Sequence, residues 1–269
     1  MWKKVFVAIS LVTAYLVALP TYAIDFTTFE FPPFTQKSPS GKATGPFKSM
    51  VSDVCKEMKQ ECEFSIFPTR RAKLKISYGQ ANAIFPFGWY RERAEEYYFS
   101  VPFMQTQYGF FVPESNKKKI DGLRDIQGFK VGVFGPSNTS VSLTEIRNLM
   151  IELGLNPIRI EVRTDESGNL IRMLERNRID AYYSNKAVAE YRAKEFNVKG
   201  VRYAWTDKTL LYFVAFPKKT TDKSLVREFN QVALKLFSKP GYLAEKLEPW
   251  GISPPPLSEE VLDKYEILR

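Results

Sequence analysis

The sequence predicts an α/β protein of two lobes, each a mostly parallel sheet flanked by helices, joined by two hinge crossings. Two patterns carry this expectation: short apolar runs of strand length alternate with amphipathic helical stripes, and no linker rich in Gly and Ser separates them. Two extended aromatic segments, Gln105 to Val112 and Leu210 to Phe216, are the candidate crossings. Two crossings return the last helices to the first lobe. Residues 24–110 and 213–269 would then form lobe 1 and residues 111–212 lobe 2.

The helices follow from apolar spacing at three and four residues. Phe47, Met50, Val51, Val54 and Met58 form one stripe, opened by Gly45-Pro46. Leu143, Ile146, Met150 and Leu153 form a second that stops at Gly154, and Leu170, Ile171 and Leu174 a third after Ser167. Leu225, Phe229, Val232, Leu236 and Phe237 form a fourth, with Thr221 or Asp222 as cap and Pro240-Gly241 as stop. Strands are expected over 64–67, 83–85, 130–134, 158–162, 181–183 and 210–216.

Lys3 and Lys4, the uncharged run from Val5 to Leu19, Pro20 and then Thr21-Tyr22-Ala23 have the layout of a secretory signal. An uncleaved membrane anchor is the alternative. With residues 1–23 removed, the mature chain starts at Ile24 as a soluble protein in the periplasm. The net charge of +9 becomes +7 without Lys3 and Lys4. Basic and acidic residues are interleaved, and the one tight run, Lys117-Lys118-Lys119, reads as a solvated loop. Nucleic acid is therefore not an expected partner, and the chain is expected to be a monomer.

An exported chain with two cysteines, Cys55 and Cys62, is expected to pair them. Seven residues of unbroken helix would span about 10 Å along the axis, too far for a bridge. The helix must therefore end between them. The absence of histidine removes Ser-His-Asp and Cys-His catalysis, and with only two thiols there is no zinc site. No metal or cofactor is expected.

Three places should face an interlobe cleft, each following a strand at its C-terminal end. Phe31-Pro32-Pro33-Phe34 offers rigid prolines and aromatic walls, although both rings could instead be core. The stretch Phe85-Pro86-Phe87-Gly88-Trp89-Tyr90-Arg91-Glu92-Arg93 ends in an arginine able to clamp a carboxylate in bidentate fashion. An ordinary ion pair of Arg93 with Glu92, Glu95 or Glu96 is the competing reading. Gly135-Pro136-Ser137-Asn138-Thr139 follows a strand and opens a helix, so its hydroxyls and free N–H groups suit an anion or a simple cap.

These segments, in this order, resemble the bacterial extracellular solute-binding proteins of family 3, which are type II periplasmic binding proteins. Glu92-Arg93-Ala94 followed by Phe99-Ser100-Val101-Pro102-Phe103 is similar to the family's Glu-Arg-Ala and Phe-Ser-x-Pro-Tyr signature. Ile126 to Val133 resembles the opening of its second lobe, and Arg178-Ile179-Asp180-Ala181 its Gly-Arg-x-Asp-Ala step, with Asn177 replacing glycine. The resemblance implies capture of an amino acid or related carboxylate for an ABC permease, or for a membrane receptor. It puts Arg93 on the ligand carboxylate with help from Ser137, Asn138 and Thr139, and makes Phe31 a stacking wall. Thr69 stands where many members place a second wall, and Arg71 is expected to face the cleft. Phe85, Phe87 and Trp89 replace the usual hydroxyl-rich loop. Asn185 stands where amino-acid binders carry an aspartate for the ammonium; it also reads as a helix cap. Both departures favour an aromatic ligand, or an acidic one without an ammonium group. Cyclohexadienyl dehydratases resemble the same fold, and for that alternative Glu30 is the carboxylate to watch.

Overall fold

A computed structural model describes residues 23–164 and 168–269. The expected signal sequence and Ser167 lie outside the described residues. The chain opens with β1 (Ile24–Phe29), a small hairpin of β2 (Gln36–Lys37) and β3 (Ala43–Thr44), and α1 (Pro46–Glu57). Then come β4 (Cys62–Phe67), α2 (Thr69–Ser77), β5 (Ala83–Gly88), α3 (Arg91–Glu96), β6 (Tyr97–Phe99) and β7 (Met104–Pro113). The middle of the chain holds β8 (Lys130–Phe134), α4 (Asn138–Glu152), β9 (Arg159–Arg163), α5 (Asn169–Glu175), β10 (Ala181–Asn185) and α6 (Lys186–Glu195). The long β11 (Val201–Pro217) leads to α7 (Lys223–Phe237), α8 (Tyr242–Leu247) and α9 (Glu259–Lys264).

Two parallel triplets, β4-β1-β5 and β10-β8-β9, lie at opposite ends of one hydrogen-bonded path. Between them run β11 and β7, antiparallel to each other and each antiparallel to its neighbouring triplet. The apolar core is divided in the same way. Phe26, Phe47, Phe85, Phe103, Phe216 and Phe229 are fully buried in one cluster, which also takes Leu247 of α8 and Leu262 of α9. A second cluster is built on Phe110, Val131, Leu143 and Tyr183, and a third on Leu170, Leu174 and Ile179. β7 begins in the first cluster at Met104 and continues into the others through Tyr108, Phe110 and Phe111. β11 makes the same passage in reverse, from Trp205 to Phe216. The two strands approach so closely at Gly109 that an added Cβ would lie 2.2 Å from the Trp205 carbonyl oxygen, which only glycine avoids.

The expected helices form where the stripes place them. α1 buries Phe47, Met50, Val51 and Val54 and starts with Pro46 in its first turn, where a missing N–H is harmless. α7 is capped by Asp222, whose carboxylate accepts from the Ser224 N–H at 2.7 Å. Leu153 is exposed, because α4 ends at Glu152 before the stripe does. The basic segment Thr69 to Ser77, to which the apolar spacing assigns no element, is helix α2, anchored by buried Ala72 and Ile76.

α1 ends at Glu57, and Cys55 in its last turn joins Cys62, the first residue of β4, across a Cα separation of 6.2 Å. The bridge closes a short loop, worth about 2–3 kcal/mol of chain entropy. Cys55→Ser with Cys62→Ser should therefore lower the melting temperature by about 5–10 °C. A melt of reduced wild-type protein should fall by the same amount.

Candidate functional site

A cavity of about 430 Å³ lies beyond the C-terminal ends of β1, β5, β8 and β10, a volume suited to a small solute. It takes walls from both halves of the chain: Phe31 and Phe87 on one side, Phe134 and Leu170 on the other, and Tyr108 and Tyr212 from the connecting strands. Of the residues singled out from the sequence, Phe31, Thr69, Phe87, Arg93, Ser137, Asn138, Thr139 and Asn185 line it.

Three do not. Phe85 is fully buried with its ring 5.2 Å from Phe47 and 6.0 Å from Phe26, so it belongs to the core. The register of β5 against β11 slips by one residue between Phe87↔Phe213 and Ile84↔Ala215. This bulge re-aims the end of the strand and leaves Phe87 on the cavity. Trp89 turns away towards α9, with its ring 5.4 Å from that of Tyr265. Arg71 is exposed, its guanidinium 4.9 Å above the Phe67 ring. On α2 the cavity side is that of Thr69 and Lys73, four residues apart; Arg71 lies about 200° around the helix from Thr69. Phe34, the other ring of the opening motif, is core.

Arg93 sits on α3 with its guanidinium 4.2 Å from the Phe87 ring centroid and 4.8 Å from that of Tyr90. Its Nη1 donates to the Gly88 carbonyl at 2.8 Å. No carboxylate pairs with it among the described residues, so the expected alternative of an ion pair with Glu92, Glu95 or Glu96 does not form. Burial pushes its pKa down, and the nearby tyrosines 90, 97, 108 and 212 partly offset this.

Opposite it, Ser137 caps α4. Its hydroxyl accepts from the Ser140 N–H at 3.1 Å and donates to the Phe134 carbonyl at 2.5 Å. Ser137 and Thr139 hydroxyls are 2.8 Å apart. Capping therefore occupies much of Ser137, while the first-turn amides of a 15-residue helix remain available to a ligand. Asn185 caps α6. Its Oδ1 accepts from the Thr106 hydroxyl at 2.8 Å and from the Val188 N–H at 3.4 Å, and its Nδ2 donates towards the Tyr212 hydroxyl at 3.5 Å.

The structure adds cavity residues that the sequence reading passed over: Lys73, Tyr108, Tyr182, Arg192 and Tyr212. Glu30 also lines it, exposed. Of the lining cations Lys73, Arg93 and Arg192, the last is held by Glu195 at 2.7 Å.

A sequence profile of the bacterial extracellular solute-binding proteins, family 3, matches residues 26–252. The chain belongs to that family. Family 3 membership agrees with the structural likenesses, which at these identities speak to the fold. A structure from work on glutathione import through GshT and the cystine ABC importer TcyBC of Streptococcus mutans aligns with a TM-score of 0.70 and 19% identity. It covers 87% of this chain and 97% of that one. A histidine kinase sensor domain similar to periplasmic binding proteins aligns at 0.69 and 17% identity, covering 87% and 98%. The ancestral amino-acid-binding protein AncCDT-1, a precursor of cyclohexadienyl dehydratase, aligns at 0.66 and 20% identity, covering 85% and 94%. No curated protein matches in sequence.

Tyr108 supplies a pH prediction. Burial pushes its pKa up to about 12, against hydrogen bonding from Tyr212 and Asn138. Ionisation is harder in the folded state than in the unfolded chain, so this stability is whole below about pH 10 and is lost as pH rises towards 12. Denaturant unfolding should lose about 2–3 kcal/mol to this residue over that window. Tyr108→Phe should flatten the alkaline slope, and an unaltered slope would contradict the assignment.

Proposed function

We propose that this family 3 protein is an exported solute-binding protein that holds a small anionic, partly aromatic solute between its two lobes without transforming it. Arg93 carries the reading: a partly buried guanidinium with two aromatic faces, one carbonyl and no carboxylate is set up for an anion that the protein itself does not supply. The α4 amides on the far wall would meet the same anion or a neighbouring polar group as the lobes close. The strands crossing near Tyr108 and Tyr212 would absorb the rotation, and closure is driven only by the solute's preference for the closed state.

Asn185 argues against an α-amino acid. Its oxygen is spent on Thr106 and Val188, and its free amide is a donor, so it offers nothing to a desolvated ammonium. A dehydratase would need a poised acid or base. The chain has no histidine, and Glu30 is the one carboxylate among the described residues lining the cavity. Binding rather than catalysis is accordingly the reading supported best, and prephenate or arogenate turnover lost in Glu30→Gln would reverse it. The bound form would be presented to an ABC permease or to a membrane receptor. Gene neighbourhood separates these two roles.

A thermal-shift screen of aromatic acids, dicarboxylates, amino acids and short peptides tests the proposal. At about 100 times its dissociation constant, a true solute adds about 2.7 kcal/mol, a rise of several degrees. Arg93→Ala should abolish the rise for every hit, and a hit that survives it would overturn the assignment.

A further inference from the structure

Lys73 is a second cation in the cavity wall that the proposed clamp leaves unused. It lies one turn after Thr69 on α2 and shares the cavity with Arg93. It forms no ion pair with a carboxylate among the described residues. Burial pushes its pKa down, and the positive charge of Arg93 pushes it further. Two cations thus line one cavity, and their like charges disfavour each other. The exposed carboxylate of Glu30 lines the same cavity but pairs with neither of them.

A single monoanion at Arg93 would leave Lys73 without compensation in a closed, desolvated cleft, and uncompensated charge in such a place is costly. The aromatic walls Phe31 and Phe87 lie on the same side of the cavity as both cations and offer apolar surface to the body of a solute. We propose that the solute carries two anionic groups, one held by Arg93 and the other by Lys73, joined by an apolar or aromatic body. The chemical class is a dicarboxylate, or a carboxylate with a second acid such as a phosphonate. This rests on the reading of Arg93 as the anion clamp. Lys73 then sets specificity: it distinguishes diacids from monoacids and adds a second reason for a zwitterion to bind poorly.

Isothermal titration with matched pairs tests it on the purified protein: isophthalate against benzoate, phenylsuccinate against 3-phenylpropionate, and glutarate against butyrate. The expected result is at least one diacid binding about ten-fold or more tightly than its monoacid, with an affinity that falls as salt is raised. Lys73→Met should bring the diacid down to the monoacid's level. Lys73 is solvent-accessible on a surface helix, and an unchanged melting temperature for Lys73→Met and Lys73→Gln verifies that both variants fold. Equal affinities within every pair, tighter binding of a zwitterionic amino acid, or no diacid binding at millimolar concentration would overturn the proposal. So would an equal loss for both members of a pair in Lys73→Met. Arg93→Met separates the two levels: if it abolishes binding while the pairs stay equal, only the second anion is lost, and if binding survives it, the clamp itself falls.

Discussion

A half-buried guanidinium without a carboxylate partner is the constraint on which the rest of this site depends. Taking an ion out of water costs several kcal/mol unless charge or hydrogen bonds replace the lost solvent. Arg93 recovers only part of this, through the Gly88 carbonyl and the faces of Phe87 and Tyr90. Glu92, Glu95 and Glu96 stand on the same short helix, yet none pairs with it.

The fold holds this group in place from both sides. The bulge in β5 sends Phe85 into the core and Phe87 onto the cavity, so the platform under Arg93 is tied to the aromatic cluster of Phe26, Phe47 and Phe103. Asn185 and Tyr212 bind the end of β10 to β11 at the point where the two halves meet. The cavity is walled from separate apolar clusters, which β7, β11 and α6 join.

Much of this was legible in the sequence, and the failures have physical causes. Lys130 to Phe134 is a strand over the bounds its residues imply, and the stripes of α1 and α7 mark their buried faces. The cysteine spacing required α1 to stop before Cys62, and it does. α2 was invisible to periodicity because Thr-Arg-Arg-Ala-Lys-Leu-Lys-Ile-Ser buries only Ala72 and Ile76. Without that helix, Arg71 could be assigned to the cleft and Lys73 overlooked, though the two point about 200° apart around it. The bulge separating Phe85 from Phe87 is set by pairing with β11, far along the chain. Trp89 is claimed by Tyr265 at the end of α9, a partner no local pattern announces. Local chemistry singled out Arg93; distant packing decided which neighbours reach it.

If Arg93 serves to hold an anionic solute, it should burden the ligand-free protein. Replacing an unpaired, partly buried charge by an apolar side chain of similar length removes its desolvation cost and keeps the packing. The most direct measurement is the unfolding free energy of ligand-free Arg93→Met beside the wild type. The account predicts a variant as stable as the wild type or more stable. A loss of about 2 kcal/mol or more would show that Arg93 is a structural element of the folded chain, and would contradict the account.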